Sequence, residues 1–332
     1  MILEIETGYD TQKLKSRLEA MGFEVAPHGP NQLALVRGVD SLVRPELFWE
    51  LPGVKGVVSV KEKQKLVSVH SRPTRTLIAI GGRKIGEGEE PFVIAGPCSI
   101  ESEAQIFECA RIAAEQGAAA LRGGAYKPRT SPYEFQGMGL EGIKLLAAAG
   151  KKYGLVTVAE VLDAASVREA APHIDILQVG TRNMHNFELL KELGKVKNPV
   201  LLKRGFAATY QDLLHAAEYI ISGGNPNVIL CERGIRTFET YTRNTLDLNA
   251  IPALKELTHL PVIADPSHGT GRRSLVAPMA RASIAAGADG IIIEIHPDPD
   301  RALTDAQQTI GFEAFAQIMK EIRALSRTLR ES

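Results

Sequence analysis

From residue 91 onward the chain repeats one unit eight times: a short apolar run, a polar stop, then a helical pattern. The runs sit in FVIAGPCS, AALRGGAY, LVTVAEV, ILQVGT, PVLLKRG, VILCERG, PVIADPSHG and GIIIEIH. Continuous apolar runs separated by helices predict parallel strands covered on both faces. The helical patterns include ESEAQIFECARIAAEQG, TYQDLLHAAEYIISGG and SLVAPMARASIAAG, and a last one begins near residue 311. Eight such units in roughly 240 residues predict an α/β fold of the (β/α)8 TIM-barrel type, whose usual length is about 250. An open doubly wound sheet is the alternative, but it usually has fewer strands and a glycine-rich fingerprint after the first one. Here that turn reads GPCSIES.

Residues 1–70 follow a different rhythm. ILEIE, TQKLKSRLEAMG, FEVAP, QLALVRG, PELFWELPG and VKGVVSVKE give the order β-α-β-β-α-β, the ferredoxin-like layout of one antiparallel sheet with both helices on one face. So small a domain suits sensing or assembly better than chemistry. Residues 71–90 read as a linker followed by a hairpin, LIAIGG then RKIG, placed to plug the bottom of the barrel that occupies 91–332.

With 39 basic and 39 acidic residues among 332, the whole chain offers no field that would recruit nucleic acid or a membrane surface. No apolar run approaches the roughly 18 residues of a membrane span, and MILEIETGYD lacks the layout of a secretion signal. The expected location is cytoplasmic. Three cysteines, Cys98, Cys109 and Cys231, are too few for a disulfide framework, so each serves packing or chemistry.

In a barrel of this kind chemistry gathers at the C-terminal strand ends. Closure sets the last strand beside the first, so Cys98, His268 and Glu294 end neighbouring strands, and the loop beyond adds Asp305. A thiol, an imidazole and two carboxylates suit a divalent transition metal, Mn, Fe, Co or Zn, and the sulfur argues against Mg or Ca. The other strand ends are basic: Arg122 with Lys127 and Arg129, Arg182, Lys203 with Arg204, Arg233, and Arg272 with Arg273. Cations placed directly after apolar runs are costly to bury unless an anion meets them. One group, Arg122, Lys127, Arg182, Lys203 and Arg233, is expected to hold a dense anion near the barrel axis. Arg129, Thr130 and Ser131, with Arg272, lie further out and suit a second phosphate. Cys231 reads as packing.

AGPCSIES, LRGGAYKPRTSPYEFQG, QVGTRN, LLKRGF, CERG, ADPSHGTGRR, IEIHP and LTDAQQ, in this order, closely resemble 3-deoxy-arabino-heptulosonate-7-phosphate synthases from about residue 76 to the end. Residues 1–70 look like the regulatory domain of one branch of that family. The resemblance implies condensation of phosphoenolpyruvate with erythrose 4-phosphate, releasing phosphate, as the first step of the shikimate pathway. It implies metal ligands Cys98, His268, Glu294 and Asp305, phosphoenolpyruvate contacts Arg122, Lys127, Arg182, Lys203 and Arg233, and a sugar-phosphate contact in the KPRTS loop. Lys127 would act as general acid, and Cys98 and His268 would be essential through the metal. An aromatic amino acid, Tyr or Phe, would act as inhibitor through the small domain, in a homodimer or homotetramer. The sister synthase that makes an octulosonate 8-phosphate typically carries Asn where this chain has Pro-Arg-Thr, and lacks the small domain. A non-catalytic anion-binding barrel is the remaining alternative.

Overall fold

In the computed structural model, which describes residues 1–39, 43–58, 65–72, 74–127, 131 and 133–331, two units separate: residues 1–74 with 257–259, and residues 75–256 with 260–332. The first runs β1 (Ile2–Ile5), α1 (Thr11–Ala20), β2 (Glu24–Gly29), β3 (Gln32–Arg37), α2 (Glu46–Trp49) and β4 (Val54–Val58). The sheet order is β2-β3-β1-β4 with every pairing antiparallel, as a split βαβ requires. Asp10 caps α1 by accepting from the Gln12 and Lys13 amides, and Leu14 and Leu18, one turn apart, turn into a core with Leu3, Leu33, Leu35 and Phe48. The second helix is a single turn. Pro45 stands at its start and a left-handed Gly53 soon after it, leaving no length for more.

The second unit opens with the hairpin β5 (Ile78–Ile80) and β6 (Arg83–Ile85). Its turn is Gly81-Gly82, both at positive φ, which matches the twist of the two strands. The barrel strands follow: β7 (Phe92–Gly96), β8 (Ala120–Arg122), β9 (Val156–Val161), β10 (Ile176–Val179), β11 (Val200–Lys203), β12 (Val228–Glu232), β13 (Val262–Ala264) and β14 (Gly290–Glu294). They close in sequence order, β14 returning to β7 with Gly290 opposite Phe92 and Glu294 opposite Gly96. Around them lie α3 (Glu103–Glu115), α4 (Gly139–Tyr153), α5 (Ala164–Ala170), α6 (Phe187–Leu193), α7 (Tyr210–Ser222), α8 (Ala250–Leu257), α10 (Arg273–Ala285) and α11 (Phe312–Glu331), while a short α9 (Pro266–Thr270) follows β13.

The eight strands are the eight apolar runs read from the sequence. Because both faces are covered, nearly every strand residue is buried. Ile78 and Ile85 of the hairpin join Phe92, Ile94, Val156, Ile176 and Ile229 in one apolar cluster. Cys231 belongs to the same cluster and is fully buried. Its part is packing, and all three cysteines are free thiols. No helix among the described residues is long and apolar enough to cross a membrane.

Candidate active site

The C-terminal strand ends surround one cavity, whose walls include Cys98, Arg122, Lys127, Arg182, Lys203, Arg233, His268 and Asp305. His268 arrives there by local capping. Asp265, directly after β13, accepts from the His268 amide at 2.9 Å, Pro266 occupies the first turn, and Gly271 ends α9 in the left-handed region. The same Asp265 carboxylate lies 2.8 Å from His268 Nδ1 and 2.5 Å from Lys203 Nζ. Burial opposes its ionisation, yet His268 and Lys203 hold its carboxyl well below the usual carboxylate range. His268 Nδ1 is buried and approaches that carboxylate without a hydrogen bond, while Nε2 lies 3.4 Å from Glu294 Oε1 and 3.7 Å from Asp305 Oδ2.

Cys98, Glu294 and Asp305 present ligand atoms within 4.8 Å of one another. Cys98 Sγ is 3.4 Å from Asp305 Oδ2. Each carboxylate is oriented from behind. Glu294 accepts from Arg122 Nη1 at 2.8 Å and from Gln308 Nε2 at 2.7 Å, while Asp305 accepts from Arg243 Nη1 at 3.0 Å. Burial pushes the Cys98 thiol up to about 12, with Glu294 adding to it. Burial also opposes ionisation of Asp305, but His268 and Arg243 bring its carboxyl down to about 2. Asp305 holds this position at φ 52, a left-handed conformation that Asp tolerates better than most residues. The convergence of a thiol, an imidazole nitrogen and two carboxylates suits a divalent transition metal by its donor chemistry. Of the four residues expected from the sequence, Cys98, Glu294 and Asp305 form one group, and His268 Nε2 stands beside its two carboxylates.

The basic wall is not uniform. Arg122 is paired with Glu294 and Lys203 with Asp265. Lys127 Nζ lies 3.1 Å from Cys98 Sγ and also reaches the Cys98 carbonyl. That approach needs Gly124, where a Cβ would stand 2.5 Å from both the Cys98 carbonyl oxygen and Lys127 Nζ. Arg182 and Arg233 have no carboxylate partner among the described residues. Arg233 is nearly fully buried, its Nε has no hydrogen-bond partner, and burial pulls its guanidinium below its usual value. Such a charge is expensive unless an anion arrives.

Other cations expected at this rim are committed elsewhere. Arg204 turns to Glu232 at 2.8 Å and Asp247 at 3.0 Å; Arg272 stacks on Tyr241 and donates to its carbonyl, and Arg273 binds Asp300. Their own loops carry acceptors that a strand-end count cannot see. Ser131 Oγ accepts from the Tyr133 amide, and Ser131 is not among the residues lining the cavity. Arg129 and Thr130 lie outside the described residues. His296 is buried beside Glu101 Oε2 at 3.4 Å, away from the donor cluster. Sequence reasoning missed Asp265, Arg243 and Phe206, which all touch this site. Asp265 alone left a trace, as the polar stop after VIA.

An acid, thiol and imidazole cluster facing guanidiniums at the C-terminal mouth of a (β/α)8 barrel lies where the active sites of such enzymes gather. The sequence model of the DAHP synthetase I family matches residues 59–328. A curated relative from Thermotoga maritima, phospho-2-dehydro-3-deoxyheptonate aldolase, is 48% identical over 292 residues, 88% of this chain and 86% of its own. The crystal structure of that organism's phospho-2-dehydro-3-deoxyheptonate aldolase (DAHP synthase) superposes with a TM-score of 0.80 at 43% identity, covering 99% of this chain and 97% of its own. The 2-dehydro-3-deoxyphosphooctonate aldolase of Geobacter sulfurreducens is 31% identical over 75% of this chain and 97% of its own. The chain belongs to the DAHP synthetase I family, and it is an enzyme.

Proposed function

We propose that the chain condenses phosphoenolpyruvate with erythrose 4-phosphate to give 3-deoxy-D-arabino-heptulosonate 7-phosphate and phosphate. The observation that carries this reading is the meeting, in one cavity, of the cluster Cys98, His268, Glu294 and Asp305 with the uncompensated guanidiniums of Arg182 and Arg233. A divalent metal held by those four residues would supply Lewis acidity toward the aldehyde oxygen. Arg182 and Arg233, with Lys127, Arg122 and Lys203 around them, bind the carboxylate and phosphate of phosphoenolpyruvate and fix its enol carbon opposite the aldehyde. The enol π pair forms the new carbon–carbon bond, and Lys127 Nζ gives its proton to the aldehyde oxygen. Water adds to the resulting electron-poor carbon, and breaking of its bond to the phosphate oxygen releases phosphate. Arg129, Thr130 and Ser131 are assigned to the sugar phosphate.

The test offers the purified enzyme phosphoenolpyruvate with erythrose 4-phosphate or arabinose 5-phosphate and follows phosphate release. Activity with the four-carbon sugar, abolished by chelation and restored by Mn, is expected. Preference for arabinose 5-phosphate would assign the octulosonate reaction instead, and no release with either would end the proposal. Cys98→Ala is expected to lose both bound metal and activity while keeping the native circular-dichroism spectrum. The small domain is proposed to bind Tyr or Phe as feedback inhibitor, the enzyme to work in the cytoplasm, and the chain to assemble as a homodimer or homotetramer.

A further inference from the structure

Phe206, three residues beyond β11, puts its ring into the cavity wall, half-buried. Three guanidinium carbons surround that ring: Arg236 at 4.5 Å, Arg233 at 5.0 Å and Arg182 at 6.0 Å from its centroid. The arrangement is tied to the backbone, because the Arg236 amide donates to the Phe206 carbonyl at 2.7 Å. Among the described residues none of the three has a carboxylate partner. Of the three only Arg233 is buried; Arg182 and Arg236 are exposed, and Arg236 is not itself in the cavity lining. The buried cations Arg122, Lys203 and Arg204 are each held by an acid.

The difference matters for an anion site. A carboxylate that fixes a guanidinium also neutralises it and competes with the ligand for its N–H groups. An aromatic face attracts the cation through its quadrupole, carries no net charge and leaves the in-plane N–H fork free. Arg233, buried beside this ring with an unpartnered Nε and two like charges nearby, is unfavourable without an anion, so the ring holds it ready for one.

We propose that Phe206 is a positioning residue that holds Arg182 and Arg233 for the anionic substrate, and that Arg236, which was not among the expected contacts, is a further guanidinium of the same site. The inference rests on the reading of this cavity as the phosphoenolpyruvate pocket. Leu in place of Phe206 keeps apolar bulk and removes the π face; Tyr restores it. Phe206→Leu is expected to raise KM for phosphoenolpyruvate on the order of tenfold, with a smaller change in kcat and none in the KM for the aldose. Phe206→Tyr should return KM close to wild type. Arg236→Gln should also raise it, by several-fold.

In the Arg233→Ala background Phe206→Leu should add less than it does alone, since the two act through one contact. Equilibrium titration with phosphoenolpyruvate separates binding from turnover, and a melting curve for each variant reports folding. If Arg233→Ala raises KM while Phe206→Leu does not, or if Tyr fails to rescue, the positioning role is wrong and the pocket assignment stands. If Arg233→Ala leaves KM unchanged, the pocket assignment itself fails.

Discussion

Single residues in this site are distinguished by what neutralises them. Arg204 and Arg233 both follow apolar strands, yet Arg204 is spent on Glu232 and Asp247 whereas Arg233 keeps an unpartnered Nε. Their alanine variants should therefore fail in different ways. Arg204→Ala leaves the fully buried Glu232 without its cation and is expected to cost about 3–5 kcal/mol in urea unfolding. Arg233→Ala removes a charge that folding gains nothing from, and is expected to raise KM for phosphoenolpyruvate by roughly ten- to a hundredfold, with little loss in the unfolding midpoint. The sequence showed both as cations after an apolar run and could not separate them. Their partners lie 28 and 43 residues away for Arg204, and nothing local encodes such pairings. Cys98 and Glu294 were easier to read, because barrel closure sets the ends of β7 and β14 side by side without knowledge of side-chain direction.

At the scale of elements, the apolar runs were legible because parallel strands buried on both faces have no polar alternation to blur them. The hairpin β5–β6 was legible through its Gly-Gly turn, and its packing with residues of the barrel strands gives a measurable consequence. Ile85 is fully buried in the apolar cluster they share. Ile85→Ala should destabilise the barrel unit by about 2–5 kcal/mol, seen as a lowered urea midpoint. Less visible was the shortness of α2, since Pro45 and Gly53 set its length and an apolar pattern continues past both. In β2, His28 is held neutral: burial, first of all, pulls its pKa down to about 4, and its Nε2 is buried without a partner. An unfolded His takes up its proton near pH 6.5. The unfolded state therefore binds more protons between those values, and the small unit should lose stability as pH falls from about 6.5 toward 4. His28→Gln should flatten that dependence in denaturation curves measured across the window.

For the whole molecule, two units with separate cores divide the labour proposed above. The barrel closes on itself and contains every residue of the candidate site, so a chain lacking residues 1–74 is expected to retain condensation activity. It should lose any inhibition by Tyr or Phe. If the intact and shortened enzymes respond alike to both amino acids, the small domain is not the sensor. A chain with equal numbers of acids and bases neutralises cations at this mouth in buried pairs such as Arg122 with Glu294 and Lys203 with Asp265, and leaves the buried Arg233 for an anion.

Asp265 stands between the two halves of that mouth, touching the ammonium of Lys203 and the ring of His268 with one carboxylate. A proton or cation arriving on the imidazole side draws on the same oxygen that steadies the ammonium, so a ligand on either side is felt on the other, and by the same free energy in both directions.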